Sequence, residues 1–330
     1  MTTSLTRRAF NLGLMGAGAA AATAGTLGFP RPARAMSELT FQAIWLNDPE
    51  FLGYMIAIEN GLYEKAGLKV NYLPGGPNLV PVGSLLSGKS DIALTNMLSV
   101  GKAVVEKGAP FKVIGTQYQK SPMGFISLEG TGIKGPKDLV GKTLAVSTLA
   151  SSSVAAFLKL NEISKDEVKI VPYTFNPSAL INGEVDAVVD FVTQTPFLVE
   201  QASGKKAAYF LLYDYGLEFY IDLITVSEET LANRRDDLIA FLKASKEGWA
   251  ENFKDPEKYV KAYHDTWFKG TGSTIEAELY FNKVQEDLMM HPDGLYTMTE
   301  EGIERNIKSL ALLGVDASPD LFDTSVLKEL

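Results

Sequence analysis

Phe41-Gln42-Ala43-Ile44-Trp45, Leu46-Asn47-Asp48-Pro49-Glu50 and Phe51-Leu52-Gly53-Tyr54-Met55-Ile56 open the stretch 41–96, whose reading decides the fold. The first five residues are a short apolar run and read as a strand, and the next five as a loop. Phe51, Leu52, Met55, Ile56 and Glu59 recur at helical spacing, and Gly61 stands where a helix would stop. Residues 68–73 read as a second strand. Pro74-Gly75-Gly76-Pro77-Asn78 is a loop, with Asn78 as N-cap and Pro81 in the first turn of the helix that follows. Gly88 ends that helix, and Asp91-Ile92-Ala93-Leu94 is the third strand. Such alternation builds a parallel sheet, whose ligands bind beyond the carboxyl ends of its strands. Those ends are 45–50, 74–78 and 95–96, so three loops are expected to rim one cleft.

Outward from this stretch the pattern repeats. Residues 98–107 read as a helix closed by Gly108 and Pro110, 111–117 and 123–128 as strands, and 130–136 as a glycine-rich connector. A strand at 143–146, a polar turn at 148–153, a helix containing Val154 and Leu158, and a strand at 168–173 follow. Residues 179–191 echo 84–96: an apolar pair, a glycine (Gly88, Gly183) and an aspartate three residues later (Asp91, Asp186). Each reads as helix end, glycine cap, turn and buried strand, which suggests two similar lobes. After strands at 209–213 and 219–226 the chain becomes helical. His264 reads as a solvated helix-surface residue and His291 as part of a turn; neither is assigned a role.

The 330 residues carry a net charge of −9, 46% hydrophobic residues and no cysteine. That length suggests two domains. The acidic balance argues against nucleic acid as a partner, and the lack of cysteine excludes disulfides, thiolate metal sites, a cysteine nucleophile and a lipid-modified amino terminus. Two histidines are too few for a histidine metal cage. Residues 1–35 read as an address. Arg7-Arg8 is followed by Phe10, Leu12, a Gly/Ala-rich stretch and Ala33-Arg34-Ala35, a small-x-small cleavage site. This resembles a twin-arginine export signal cleaved near Ala35. Its removal takes four arginines and no acid with it, shifting the formal charge from −9 to −13. The expected partner in export is the twin-arginine translocase, and the expected location the periplasm.

Glu50-Phe51-Leu52-Gly53-Tyr54, Asn60-Gly61-Leu62-Tyr63-Glu64-Lys65-Ala66-Gly67-Leu68, Pro74-Gly75-Gly76-Pro77 and Gly88-Lys89-Ser90-Asp91-Ile92-Ala93, together with Trp45, resemble the thiamine-pyrimidine/sulfonate branch of the periplasmic solute-binding proteins of ABC importers. The resemblance extends over nearly the whole mature chain. It implies an α/β, two-lobed periplasmic-binding-protein fold of type II, two crossing strands at the hinge, a helical C-terminal region, and ligand capture by hinge closure. It implies lobe I from 36–122 and 223–330 and lobe II from 123–222. The implied partners are a small heterocyclic ligand and an inner-membrane ABC permease, with no cofactor and no enzymatic activity. Thiamine-pyrimidine precursors are the first ligand class, riboflavin-like rings the second, and sulfonates or nitrate the third. The family also includes a pyrimidine synthase that consumes its own histidine, which makes an enzyme the rival reading.

Ligand contacts are expected from both lobes. Trp45 would stack on a flat ring, a contribution of about 1 kcal/mol beyond burial. Asn47, Asp48, Phe51, Asn78 and Asn96 complete the first lobe's set. Asp48 would accept from an amino-substituted ring, whereas Glu50 reads as a carboxylate suited to a helix first turn. Thr148 and Ser151 precede or open a helix whose N–H groups suit an anion, and Asp190 ends a strand of the second lobe. Gln117, Tyr215, Glu218 and Tyr220 lie at the crossings, and alternation puts Glu218, Tyr220 and Asp222 on one strand face. Gly75-Gly76 lacks phosphate-loop spacing, so its expected job is close backbone approach.

Overall fold

Ten strands of the computed structural model form two five-stranded sheets with one internal plan. The structure describes residues 36–330; the export signal expected over 1–35 lies outside the described residues. In chain order the strands are β1 (Ser37–Gln42), β2 (Leu68–Leu73), β3 (Ile92–Thr95), β4 (Phe111–Tyr118), β5 (Met123–Leu128), β6 (Thr143–Val146), β7 (Lys169–Pro172), β8 (Ala187–Phe191), β9 (Ala207–Leu211) and β10 (Ile221–Ser227). The helices are α1 (Leu52–Glu59), α2 (Leu62–Lys65), α3 (Pro81–Leu86), α4 (Met97–Lys107), α5 (Ser151–Leu160), α6 (Ser178–Ile181), α7 (Thr195–Ser203), α8 (Glu228–Asn233), α9 (Arg235–Lys254), α10 (Pro256–Tyr263), α11 (Ile275–Met289) and α12 (Glu300–Leu312). None of the described helices is long and apolar enough to cross a membrane.

The first sheet runs β2-β1-β3-β10-β4 and the second β7-β6-β8-β5-β9. In each, three parallel strands are followed by one antiparallel strand, β10 in the first and β5 in the second. The chain crosses from β4 to β5 and returns from β9 to β10, so the first sheet takes its fourth-placed strand from beyond the second. The echo between 84–96 and 179–191 has a structural basis. Asp91 Oδ2 accepts the Thr40 N–H at 2.7 Å, and Asp186 Oδ2 accepts the Thr143 N–H at 2.7 Å. In both places the aspartate's own N–H returns to the carbonyl of the same threonine. Each aspartate therefore pins a strand entering the sheet to the neighbouring central strand.

Several expectations are corrected. β1 spans Ser37–Gln42, not 41–45, because its parallel register with β2 begins at Ser37↔Leu68 and ends at Gln42↔Leu73. Trp45 therefore lies three residues beyond the strand. Asn78 is not an N-cap: Leu79 N–H closes a turn onto Gly76 O at 3.0 Å, and α3 starts at Pro81 with Val80 in the capping position. β10 starts at Ile221, so Glu218 and Tyr220 share no strand face with Asp222. Their N–H groups go to Ser309 Oγ (2.9 Å) and Asn306 Oδ1 (2.6 Å) of α12, and Asp222 adopts a φ of 55°. His264 is not simply solvated; its Nδ1 lies 2.9 Å from Glu278 Oε2 of α11.

After Ser227 the helices pack back on the first sheet. α1 lies on α9 through two glycines, since Gly248 touches the Gly53 backbone and Gly53 leaves room for the buried Trp249 ring. α11 reaches both halves. Its Gln285 amide donates to Pro49 O at 2.8 Å and accepts from Tyr118 Oη at 2.8 Å, and its Tyr280 ring lies 5.5 Å from Phe197 of α7.

Candidate functional site

Trp45 is placed by backbone contact with the β2–α3 loop. Gly75 N–H donates to Trp45 O at 2.8 Å. A Cβ at position 75 would come within 2.4 Å of Ile44 C, 2.5 Å of Trp45 N and 2.6 Å of Ala43 O, so only glycine lets the two loops approach this closely. Beneath them the buried Gln42 amide donates to Ala43 O, Leu73 O and Pro74 O at 3.0–3.1 Å and accepts from Ser84 Oγ. The ends of β1 and β2 are thereby tied into one platform, and Asn47 Oδ1 is held by Tyr72 Oη at 3.0 Å.

Opposite this platform stand the strand ends of the second sheet. Phe175, three residues past β7, brings its ring to 5.9 Å from that of Trp45, and Tyr173 packs on Phe175 at 5.8 Å. Phe175 holds a φ of 60° and stays 46% exposed, unusual for a bulky aromatic side chain. Tyr173 Oη donates to Asp190 Oδ2 at 2.6 Å, Thr195 Oγ1 donates to the same oxygen at 2.8 Å, and Phe191 N–H fills Oδ1. Burial raises the Asp190 carboxyl while these donors hold it down. A chain of contacts thus runs Trp45, Phe175, Tyr173, Asp190, from one sheet to the other.

Three acids stand near the start of α1 and the crossing strands. Asp48 Oδ1 accepts the Glu50 N–H at 2.9 Å. Glu50 is 4% and Asp222 1% exposed. Gln117 Nε2 donates to Glu50 O at 2.7 Å and Asp222 Oδ2 at 3.0 Å, tying both crossing strands to the start of α1. Burial is the main cause that pushes the Asp48 carboxyl up to about 8, with Asp222 and Glu278 adding repulsion. Burial likewise raises Asp222 to about 7 and Glu50 well above the usual carboxylate range. Among the described residues no lysine, arginine or histidine pairs with any of the three.

On the first-sheet side Asn47 bonds Tyr72, Asp48 and Gln117 both bond Glu50, and Trp45 touches Phe175, from which contacts lead through Tyr173 to Asp190. Of the other expected contacts, Asn78, Asn96, Thr148 and Ser151 follow the carboxyl ends of β2, β3 and β6, whereas Phe51, Tyr215, Glu218 and Tyr220 are engaged elsewhere. Phe51 is fully buried in the core. Asn78 is exposed on its turn, and Asn96 caps α4 by accepting the Ser99 N–H. Thr148 and Ser151 are exposed at the β6–α5 turn, where Ser151 Oγ donates to Thr148 O. Tyr215 donates to Lys134 O beside the C-terminal end of α5, away from the carboxyl ends of the strands. Glu218 pairs with Arg305 at 2.6 Å and Tyr220 is buried against Gly302, both on α12. Sequence reading did not single out Phe175 and Tyr173, although both follow the carboxyl end of β7 and the same strand-end rule reaches them. Two surface hollows, about 680 Å³ beside α5 and β7 and about 710 Å³ beside Trp267 and β2, lie outside this arrangement.

Two mixed sheets of this order, joined by two crossings with facing strand ends, define the periplasmic-binding-protein fold. The sulphonate-binding protein SsuA of Escherichia coli superposes with a TM-score of 0.65 at 15% identity, covering 86% of this chain and 96% of that one. Residues 48–259 match the family described as NMT1/THI5 like, and the chain belongs to it. A 4-amino-5-hydroxymethyl-2-methylpyrimidine phosphate synthase of Schizosaccharomyces pombe is 26% identical over 240 residues, 69% of each chain. A formylaminopyrimidine-binding protein of Halalkalibacterium halodurans is 24% identical over 210 residues, and that match spans 62% of each chain, less than two thirds of the relative's length.

Proposed function

We propose that the chain is an extracytoplasmic solute-binding protein that captures a small heterocycle of the thiamine-pyrimidine-precursor type by hinge closure and delivers it to an ABC importer. The observation that carries this reading is the facing of Trp45 and Phe175 across the two sets of strand ends, 5.9 Å apart. The two rings touch each other with their planes tilted by 59°, so a flat ring would enter between them as the halves part, and only contacts made by both halves at once favour the closed form. The chain 1–35 and its twin-arginine resemblance support export to the periplasm. The family's pyrimidine-binding member supports the ligand class.

The acids at the platform bear on the alternatives. Burial pushes all three acids toward the neutral form, so they do not repel an anion, but among the described residues no lysine, arginine or histidine pairs with them to offer sulfonates or nitrate a countercharge. A riboflavin-like ring suits the aromatic pair as well. The synthase reading draws on the fission-yeast relative; against it, His264 sits on α10's end bonded to Glu278 and His291 in the turn after α11, neither beside Trp45. Native mass spectrometry on protein exported by its own signal tests the proposal. A retained aminopyrimidine mass, or compaction in small-angle scattering on adding one, is the expected result. A retained flavin moves the ligand to the second class, and binding of alkanesulfonates in preference to either ring overturns the heterocycle reading.

A further inference from the structure

α11 touches three parts of the molecule that a hinge must move. At its carboxyl end Leu288 O accepts the N–H groups of Gln119 (2.8 Å) and Lys120 (3.1 Å), the two residues that follow β4 at the first crossing. Nearer its middle, the Gln285 side chain donates to Pro49 O and accepts from Tyr118 Oη, both at 2.8 Å. Asn282 exchanges amide hydrogen bonds with Asn252 of α9 at 2.8 and 3.0 Å and donates to Pro256 O at 2.8 Å. These three amides are buried and partnered, so the helix is fixed to α9, to β4 and to the loop before α1. Its grip on the second half is of another kind. The half-buried Tyr280 ring lies 5.5 Å from that of Phe197 in α7, tilted by 34°, and its Oη stands 3.5 Å from Val192 O, just past β8. That is an aromatic contact with only a long hydrogen bond beside it.

We propose that α11 is a brace that holds the two halves closed from outside the ligand cleft, with Tyr280 as a positioning residue for capture that acts through Phe197. The inference rests on the hinge-closure reading above and adds the element that biases closure. The anchors sit by the crossing and the grip lies away from it. Leu288 and Tyr280 are eight residues apart in α11, about 12 Å by helical rise. At that radius a rotation carrying α7 away from α11 parts the two rings by about 1 Å for each ~5°. A gap of that size forfeits about a quarter to a half of a van der Waals contact. The buried amides on the first side stay made throughout. The Tyr280–Phe197 contact therefore belongs to the closed form alone, and only such a difference shifts a two-state equilibrium. Because it lies outside the cleft, it favours closure whether or not a ring lies on Trp45.

The test is single-molecule energy transfer on the ligand-free protein. The chain has no cysteine, so Lys102→Cys in α4 and Lys159→Cys in α5, both exposed, take the two dyes without further change. Tyr280→Ala is expected to lower the ratio of closed to open molecules about 2–10-fold, the range an aromatic pair supplies. Phe197→Ala should do the same and the double variant no more, because both remove one contact. Tyr280→Phe should match wild type, since the ring makes the contact. An unmoved ratio in Tyr280→Ala, including a single closed distance in both proteins, overturns the proposal, as do fully additive effects of Tyr280→Ala and Phe197→Ala. These measurements use no ligand, so the brace can fail while the heterocycle reading stands. Absence of binding by 4-amino-2-methylpyrimidine counts against the heterocycle reading and leaves the brace to the ligand-free ratio. Where that ring binds, Tyr280→Ala should release it faster by up to the same factor, as exit passes through the open form; release at the wild-type rate overturns the role in capture.

Discussion

Gly75→Ala is the substitution that most directly probes how Trp45 is held. The added Cβ would lie 2.4 Å from Ile44 C, 2.5 Å from Trp45 N and 2.6 Å from Ala43 O. Ordinary contact begins at 3.4 Å, so the loop must retreat by about 1 Å. All three neighbours are backbone, and no rotamer change relieves them. Retreat also stretches the Gly75 N–H bond to Trp45 O, now 2.8 Å. Overpacking of this kind costs about 1–3 kcal/mol, which for a chain of this size lowers Tm by roughly 2–5 °C. Gly83→Ala is the matched control, because Gly83 lies inside α3 with nothing within 4 Å of its added Cβ. It should gain roughly 0.5–1 kcal/mol from helix propensity and unfolded-state entropy. Urea unfolding of both variants, followed by ring binding, reads the two effects. Gly75→Ala as stable as wild type, with unchanged ring affinity, would refute the claim that backbone approach at Gly75 places Trp45.

Trp45→Ala should keep the fold and weaken binding of a flat ring roughly 10–100-fold, measured by calorimetry, since stacking and its burial go together. Gly248→Ala puts a Cβ 2.1 Å from Gly53 O between α1 and α9; a loss of at least about 2 kcal/mol in urea unfolding is expected, and a loss under 0.5 would mean the helices can part without penalty. Stability should fall as pH rises from about 5 to 8. Asp222 is raised from an ordinary 3.8 to about 7 in the fold, so folding takes up a proton. That contribution is fully present below the unfolded value and is lost as pH rises through the folded one, a change of order 2–4 kcal/mol. Asp222→Asn should flatten the slope in unfolding curves taken across this range.

Much of the chain's order is legible locally. β2, β5 and β6 have the bounds that their apolar runs dictate, because glycine, proline or polar turns close both ends. The close approach at Gly75 follows from the same punctuation. β1 escapes such reading: Ala43-Ile44-Trp45 is the more apolar stretch, yet the ladder is set by partners around Leu68, far along the chain. Which aromatic residues face the cleft is equally non-local. Phe51 and Trp45 stand six residues apart, and only packing against the later helices sends one into the core and leaves the other at the strand ends. The alternation across Glu218 to Asp222 misleads because α12 captures two of the backbone donors before β10 begins. The Glu50–Asp222 pair has no sequence signal, since each acid alone is ordinary on a surface.

The placing of β10 between β3 and β4 bears on how the chain acquires its structure during synthesis. The second sheet is complete once Leu211 has been made, from a continuous segment beginning at Met123. The first, begun earlier, waits for Ile221–Ser227, and until then the facing edges of β3 and β4 carry unpaired backbone groups. The half that starts first therefore finishes last. A nascent chain halted between the two events would hold one finished sheet and one open slot of a strand's width, which is the shape that invites pairing with another chain.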